Sequence, residues 1–322
     1  MKRLRFISVW LLFSMYACAH RPTSPSNFSN HWPTLKKQVI SQDLEIDAFF
    51  SQGPYSYKEF LDFNITISPK HKINSDFFRT GNRYKPALAI IIHGNGYNKL
   101  AHRAQAERIA SWGFHCLVVN LPNRNRWLEN GKKIKRLVSL IKSYPRLLAK
   151  SINPNRIYLI GHSFGGSASV LAAGAGAPVR GLILLDPAMV HDSVKDALEN
   201  ITVPSVILGA DKRVFKSKRR SHFFQYIAGP IAEVSIIGAT HTDAQSPSIY
   251  KVHWGFDLVT NKIAQSRFLG AVLASLFSLS SSDRLEFAWY LFRKEIKRGN
   301  MKKARVRFVP DGVHASLKKL RH

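Results

Sequence analysis

Gly161-His162-Ser163-Phe164-Gly165 lies between an apolar run, Arg156-Ile157-Tyr158-Leu159-Ile160, and a stretch of small residues, Gly166-Ser167-Ala168-Ser169-Val170-Leu171-Ala172-Ala173. That order predicts a buried strand, a very tight turn and a helix packed close behind it. In so tight a turn the central residue takes strained dihedrals. A side chain two positions to either side would strike the strand or the helix, and Gly161 and Gly165 meet that demand. The Ser163 hydroxyl is thereby held at a strand tip, beside the positive end of a helix. A chain built around such a turn is expected to have an α/β architecture with its chemistry at the carboxyl ends of the strands.

A serine hydroxyl is a poor nucleophile until a base takes its proton and a third group orients that base. An acid and then a histidine are therefore expected at the ends of later strands. Val203-Pro204-Ser205-Val206-Ile207-Leu208-Gly209 reads as a buried strand with Ala210-Asp211 at its carboxyl end. Glu233-Val234-Ser235-Ile236-Ile237 reads as the next, followed by Gly238-Ala239-Thr240-His241. Taken singly, Asp211 could be a solvated loop acid and His241 a turn histidine. Together, in this order after Ser163, they point to a Ser-His-Asp arrangement. A further strand, Gly181-Leu182-Ile183-Leu184-Leu185, carries Asp186 at its tip, followed by Pro187. Asp186 is the alternative acid, otherwise a brace for the turn that Pro187 stiffens. The strongest strand, Pro86-Ala87-Leu88-Ala89-Ile90-Ile91-Ile92, leads into His93-Gly94-Asn95-Gly96. The backbone N–H groups of Asn95 and Phe164 are the candidates for an oxyanion hole. His93 reads as a residue that shapes the loop.

These segments resemble the α/β-hydrolase superfamily. They are most similar to its branch of dienelactone-hydrolase-like esterases, cutinases and other polyester hydrolases, chlorophyllases and platelet-activating-factor acetylhydrolases. Gly161-His162-Ser163-Phe164-Gly165-Gly166, Leu184-Leu185-Asp186-Pro187, Val206-Ile207-Leu208-Gly209-Ala210-Asp211 and Gly238-Ala239-Thr240-His241 carry the resemblance, over about residues 60 to 255. It implies a mostly parallel sheet with helices on both faces and a carboxylic-ester hydrolase working through an acyl-enzyme. Ser163 would be the nucleophile, His241 the base and Asp211 the acid. Asp211 is favoured over Asp186 because it occupies the later strand end that most chains of this fold use. The loop His93-Gly94-Asn95-Gly96 departs from the polyester-cleaving members, which usually carry an aromatic after the glycine.

The amino end reads as an export signal. Lys2, Arg3 and Arg5 precede an apolar stretch from Phe6 to Ala17 that is too short to span a bilayer. Ala17-Cys18-Ala19 fits ordinary signal cleavage, and Met15-Tyr16-Ala17-Cys18 also fits a loose lipobox in which Cys18 would be lipidated. Residues 1–19 are thus taken as the signal, 20–40 as a tether, 41–255 as the α/β domain and 256–322 as a helical basic C-terminal extension. The protein is expected in the periplasm, lipid-anchored to the bacterial cell envelope, or secreted. With two cysteines in all, Cys116 has no partner once Cys18 is removed or acylated, and it reads as a small apolar strand residue.

Net charge is +28, a field that draws a protein toward polyanions and anionic surfaces. One basic run, Lys212, Arg213, Lys216, Lys218, Arg219 and Arg220, follows the favoured acid and is expected to rim the active-site mouth. A second, from Arg293 to Arg321, runs through the C-terminal extension. An anionic membrane surface or envelope polymer fits these patches. Nucleic acid is disfavoured, since no recognition motif or stacking platform accompanies the charge. Two helices are expected in the extension, over Lys262 to Leu279 and after an N-cap at Asp283. The apolar core of the first, Phe268 to Phe277, is too short to cross a membrane. No metal or organic cofactor is implied, because the histidines lack ligand spacing. The substrate expected is a small-molecule or lipid ester. The alternatives are a lipase, phospholipase, thioesterase or amidase with the same triad, or a catalytically silent envelope-binding protein.

Overall fold

The computed structural model describes residues 45–122, 126–212, 220–246, 261–282 and 284–308. The signal and tether, Cys18, most of the basic run after Asp211, Asp283 and the last basic residues lie outside the described residues.

A single sheet runs through the molecule. β1 (Tyr57–Ser68) and β2 (His71–Thr80) form an antiparallel hairpin, and β2 pairs antiparallel with β4 (His115–Val119). Parallel pairing then continues through β3 (Leu88–Ile92), β5 (Ile157–His162), β6 (Gly181–Leu185), β7 (Ser205–Ala210) and β8 (Ile231–Ile236). β9 (Met301–Arg307) closes the far edge antiparallel to β8, giving the order β1-β2-β4-β3-β5-β6-β7-β8-β9. The parallel strands are near-continuous apolar runs because both faces are covered. Alternate residues go to opposite sides: Leu88, Ile90, Ile92, Leu159 and Leu184 pack on one face, and Ala89, Ile91, Ile160, Ile183 and Leu208 on the other.

Among the described residues, four helices cover the first face: α2 (Trp127–Ser143), α3 (Phe164–Gly174), α4 (Val194–Glu199) and α5 (Arg220–Tyr226). The second face is covered by α1 (Arg103–Ser111), α6 (Lys262–Ser282), α7 (Glu286–Lys297) and the short helix Ile46–Phe50. α2 stops before Pro145, which opens a separate turn, Pro145–Leu147. Cys116 is buried and unpaired in β4.

The C-terminal region holds the two expected helices and adds a strand to the sheet. α6 and α7 bury Phe268, Leu273, Leu276, Leu291 and Phe292 in the same core as the sheet, and β9 is one of its strands. Tyr158 on β5 donates to the Leu279 carbonyl of α6 at 3.2 Å, fixing helix to sheet. α6 is longer than its apolar centre. By length and composition its segment Lys262–Ser281 could cross a membrane, at a mean hydropathy of 1.3, but most of it is buried as a core helix.

The chain reverses its direction of travel across the sheet between β3 and β5. β3 leads outward to β4, and β5 leads the other way to β6. A crevice forms at such a reversal, outside the carboxyl ends of the strands. The His93–Gly96 loop and Ser163 both lie there.

Candidate active site

The turn after β5 is as tight as its glycines indicate. Ser163 has φ 53° and ψ −122°, and α3 starts at the next residue. A Cβ on Gly161 would lie 2.5 Å from the Gly165 carbonyl oxygen, and one on Gly165 would overlap the carbonyls of Ile92 and His93. Strand, helix and the end of β3 therefore meet here backbone to backbone. The Ser163 carbonyl accepts from the Ala188 N–H at 3.0 Å, which ties the turn to the segment after β6. Ser163 is only 3% exposed. Holding a non-glycine residue at such a φ costs on the order of 1–3 kcal/mol.

His241 opens the short helix His241–Ala244 after β8, and its orientation is set from two sides. Thr240 and Asp243 form a capping box, Asp243 Oδ2 accepting from the Thr240 N–H at 2.8 Å and from its hydroxyl at 2.9 Å. The His241 carbonyl accepts from His162 Nε2 at 3.0 Å, and the two imidazoles lie 4.7 Å apart. The side chain next to the serine in sequence thus positions the histidine. His162 Nδ1 accepts from Gln245 Nε2 at 3.0 Å. Burial, with His241 and His102 nearby, holds the His162 imidazole well below its ordinary titration range, so it stays neutral.

The acid at this histidine is Asp186. Its Oδ2 lies 2.6 Å from His241 Nδ1, and its Oδ1 accepts from the Ala210 N–H at 3.1 Å and from Arg220 Nη1 at 2.5 Å. Burial by itself would raise the Asp186 carboxyl. The His241 hydrogen bond and the Arg220 charge outweigh it and hold the group well below the usual carboxylate range. Asp211, expected in this role, pairs instead with Lys302 of β9 at 2.6 Å and faces the Gly238 N–H at 3.4 Å. The reason is local. At φ 37° the backbone turns Asp186 across the tip of β7, where it takes the Ala210 N–H and fills the space beside the imidazole. Asp211, one residue further on, is left facing β9.

The loop after β3 lies directly over the nucleophile. A Cβ on Gly94 would come within 2.9 Å of both Ser163 Cβ and His162 Nδ1. His93 shapes this loop as expected, its Nδ1 bonding the Gly94 carbonyl at 2.8 Å and its Nε2 accepting from the Leu121 N–H at 2.9 Å. Asn95 is exposed, and its Oδ1 accepts from Trp127 Nε1 at 3.3 Å. Trp127 makes edge contacts of 5.9 Å with both His93 and Phe164. It thereby holds the Asn95 loop against the start of α3. Trp127, His162 and Arg220 are the participants that residue patterns alone missed. No spacing marks them, because each is brought in by packing from a different element.

A largely parallel sheet with a strained serine after β5, and with an aspartate and a histidine hydrogen-bonded across the ends of β6 and β8, defines a hydrolase of the α/β class. The model of the alpha/beta hydrolase family matches residues 89–307, and the chain belongs to that family. The match runs through β9, so the C-terminal helices and strand fall inside the family body. The chain is also similar to Cutinase est2 of Thermobifida alba, with 24% identity over 244 residues that cover 68% of this chain and 79% of that protein.

Proposed function

We propose that this hydrolase is a serine-dependent carboxylic-ester hydrolase with Ser163 as nucleophile, His241 as general base and Asp186 as the acid that orients it. The observation that carries this reading is the 2.6 Å bond between His241 Nδ1 and Asp186, the residue after β6, whose neighbouring strand β5 leads into a serine held in a strained turn. Similarity to a cutinase supports an ester as the substrate class.

In this mechanism the Ser163 hydroxyl attacks the ester carbonyl and gives its proton to His241 Nε2. The Nδ1–H stays on the imidazole and donates to Asp186, whose negative charge stabilises the imidazolium. The amides of Phe164 and Asn95 receive the developing oxyanion, and losing one such donor typically costs about 10²–10³-fold in kcat. His241 returns its proton to the departing alcohol, leaving an acyl-serine. A water then attacks the acyl carbonyl while His241 takes its proton, and collapse frees the acid as His241 returns that proton to the Ser163 oxygen. We also propose that the net charge of +28 concentrates the enzyme at an anionic membrane or envelope polymer.

A fluorophosphonate probe tests the core of this reading, because its phosphorus is attacked by an activated serine with loss of fluoride. Mass spectrometry is expected to find a single adduct on Ser163 and none in Ser163→Ala. Short p-nitrophenyl esters should be turned over by the same protein. Folded wild-type protein that neither labels nor turns over esters better than Ser163→Ala points to the silent binding protein instead.

A further inference from the structure

Behind Asp186 the structure buries a second acid and the cation between them. Glu233 on β8 is fully buried. The Arg220 side chain is only 11% exposed, although its position at the end of a run of lysines and arginines reads as open surface. Its guanidinium divides among four groups. Nη1 reaches Asp186 Oδ1 at 2.5 Å and the Ala210 carbonyl at 2.9 Å, Nη2 donates to Ser235 Oγ at 3.0 Å, and Nε lies 3.5 Å from Glu233 Oε1. The other oxygen of Glu233, Oε2, accepts from Arg305 Nε on β9 at 2.8 Å. Charges therefore alternate from the outer edge of the sheet to the imidazole: Arg305, Glu233, Arg220, Asp186, His241.

The sheet has been shaped to admit this guanidinium. A Cβ on Gly209 would overlap the Arg220 Nη1 and Cζ atoms, so β7 carries a glycine where the fork crosses it. Only arginine offers donors in a fixed planar fork that can hydrogen-bond a carboxylate, a carbonyl and a hydroxyl at once while facing the second carboxylate as an ion pair without a hydrogen bond. A lysine at 220 supplies the charge without that geometry. An apolar residue leaves Asp186 bound by the Ala210 N–H and His241 alone, and leaves Glu233 with Arg305.

We propose that Arg220 is a positioning residue for the acid of the triad, clamped in turn by Glu233 and, through it, by Arg305 of β9, so that the C-terminal strand helps to set the geometry of the reaction. This inference rests on the serine-hydrolase reading of Ser163, His241 and Asp186. Several charged and titratable groups surround the acid. Arg220 comes from α5, His241 and Asp243 from the short helix after β8, and His162 from β5. The Asp211–Lys302 pair spans β7 and β9, and Glu233 and Arg305 pair across β8 and β9. Of these, Arg220 and His241 touch the carboxylate directly. Removing the cation favours an additional proton on the Asp186–His241 pair, and it frees the carboxylate to turn away from Nδ1.

The test uses the full chain as wild type, Arg220→Met, Arg220→Lys, Glu233→Gln and Ser163→Ala. Folding is followed by thermal unfolding, and kcat and KM are measured for p-nitrophenyl butyrate across pH. Arg220→Met is expected to lower kcat about 10- to 100-fold with KM within about twofold, the scale of a misplaced catalytic group. The acid limb of its pH profile should move up by roughly one unit. Arg220→Lys should recover about tenfold of the loss and most of the limb position. Glu233→Gln should fall between Lys and wild type. A low-field proton resonance from the His241–Asp186 bond, assigned by its absence in Asp186→Asn, should shift or broaden in Arg220→Met.

A folded Arg220→Met enzyme with wild-type kcat, pH profile and resonance overturns the proposal, as does a lysine variant no better than methionine. If Arg220→Met does not fold, Glu233→Gln decides: a wild-type rate and acid limb overturn the clamp. Wild-type protein without Ser163-dependent turnover sinks the hydrolase reading itself, a result separable from all of these.

Discussion

Asp186→Asn is expected to lower kcat toward an activated ester about 10⁴-fold, while Asp211→Asn stays within about threefold of wild type. An asparagine has the size of the carboxylate, so the space at the tip of β7 stays filled. What changes is the proton inventory. With an amide at this site the imidazole no longer has a charged acceptor to hold its proton on Nδ1. The tautomer protonated on Nε2 then competes, and it cannot take the proton of the serine. The imidazolium formed during attack also loses its counter-charge, and Arg220, 2.5 Å away, is left facing a neutral group. Asp211 has none of these connections, because its partner is Lys302. Steady-state kinetics on the two variants separate the assignments, and a large loss in Asp211→Asn with little in Asp186→Asn would reverse them.

Acid should destabilise this protein from about pH 6.5 downward, before most of its carboxylates titrate. His102 and His115 are buried, which lowers each from 6.5 to about 4 in the folded chain, Arg79 adding to the effect at His115. Burial lowers His93 and His162 as well. In the unfolded chain these imidazoles take up protons below about pH 6.5, where the folded chain still excludes them. The unfolded state then binds more protons, so stability falls as pH drops from about 6.5 to about 4. It levels off once the folded groups also titrate. His102 and His115 each account for a loss on the order of 3 kcal/mol across that window. Asp186, depressed rather than raised, keeps its contribution above the ordinary carboxylate range and loses it only at lower pH. Tm at pH 4.5 is expected to be roughly 10–20 °C below that at pH 7.5. Surface repulsion from the net charge of +28 acts in the same direction, but salt screens it and does not screen desolvation. The drop should therefore persist in about 0.5 M salt, and a Tm that is flat over this range, or flattened by salt, removes the buried histidines as its cause.

The parts of the site that depend on local chain geometry were legible in the residues. Two glycines bracket Ser163 because the turn is tight, apolar runs end directly before Asp186 and Asp211 at strand tips, and Asn95 and His241 lie in the loops that follow β3 and β8. The choice between two acids was not legible. Both aspartates end apolar strands, and what separates them is a left-handed backbone at Asp186 and an arginine arriving from the start of α5. That arginine closes a run of cationic residues that reads as one solvated patch. A run of like charges gives no sign that one member turns inward. β9 was hidden for a related reason. Met301-Lys302-Lys303-Ala304-Arg305-Val306-Arg307 has the composition of a basic tail, and only pairing with β8 makes it a strand. Asp283, expected to cap the last helix, lies outside the described residues, and α7 begins at Glu286 with Leu285 at its N-cap.

β8 is made at residues 231–236, and the strand that covers its outer edge only at 301–307. A ribosome must therefore thread both C-terminal helices before that edge finds its partner. Until then the nascent chain presents an open row of backbone donors and acceptors on the strand that leads into His241, an invitation to pair with a neighbouring chain. If β9 helps to set the site, competence for hydrolysis is expected only after residues 301–307 have been made.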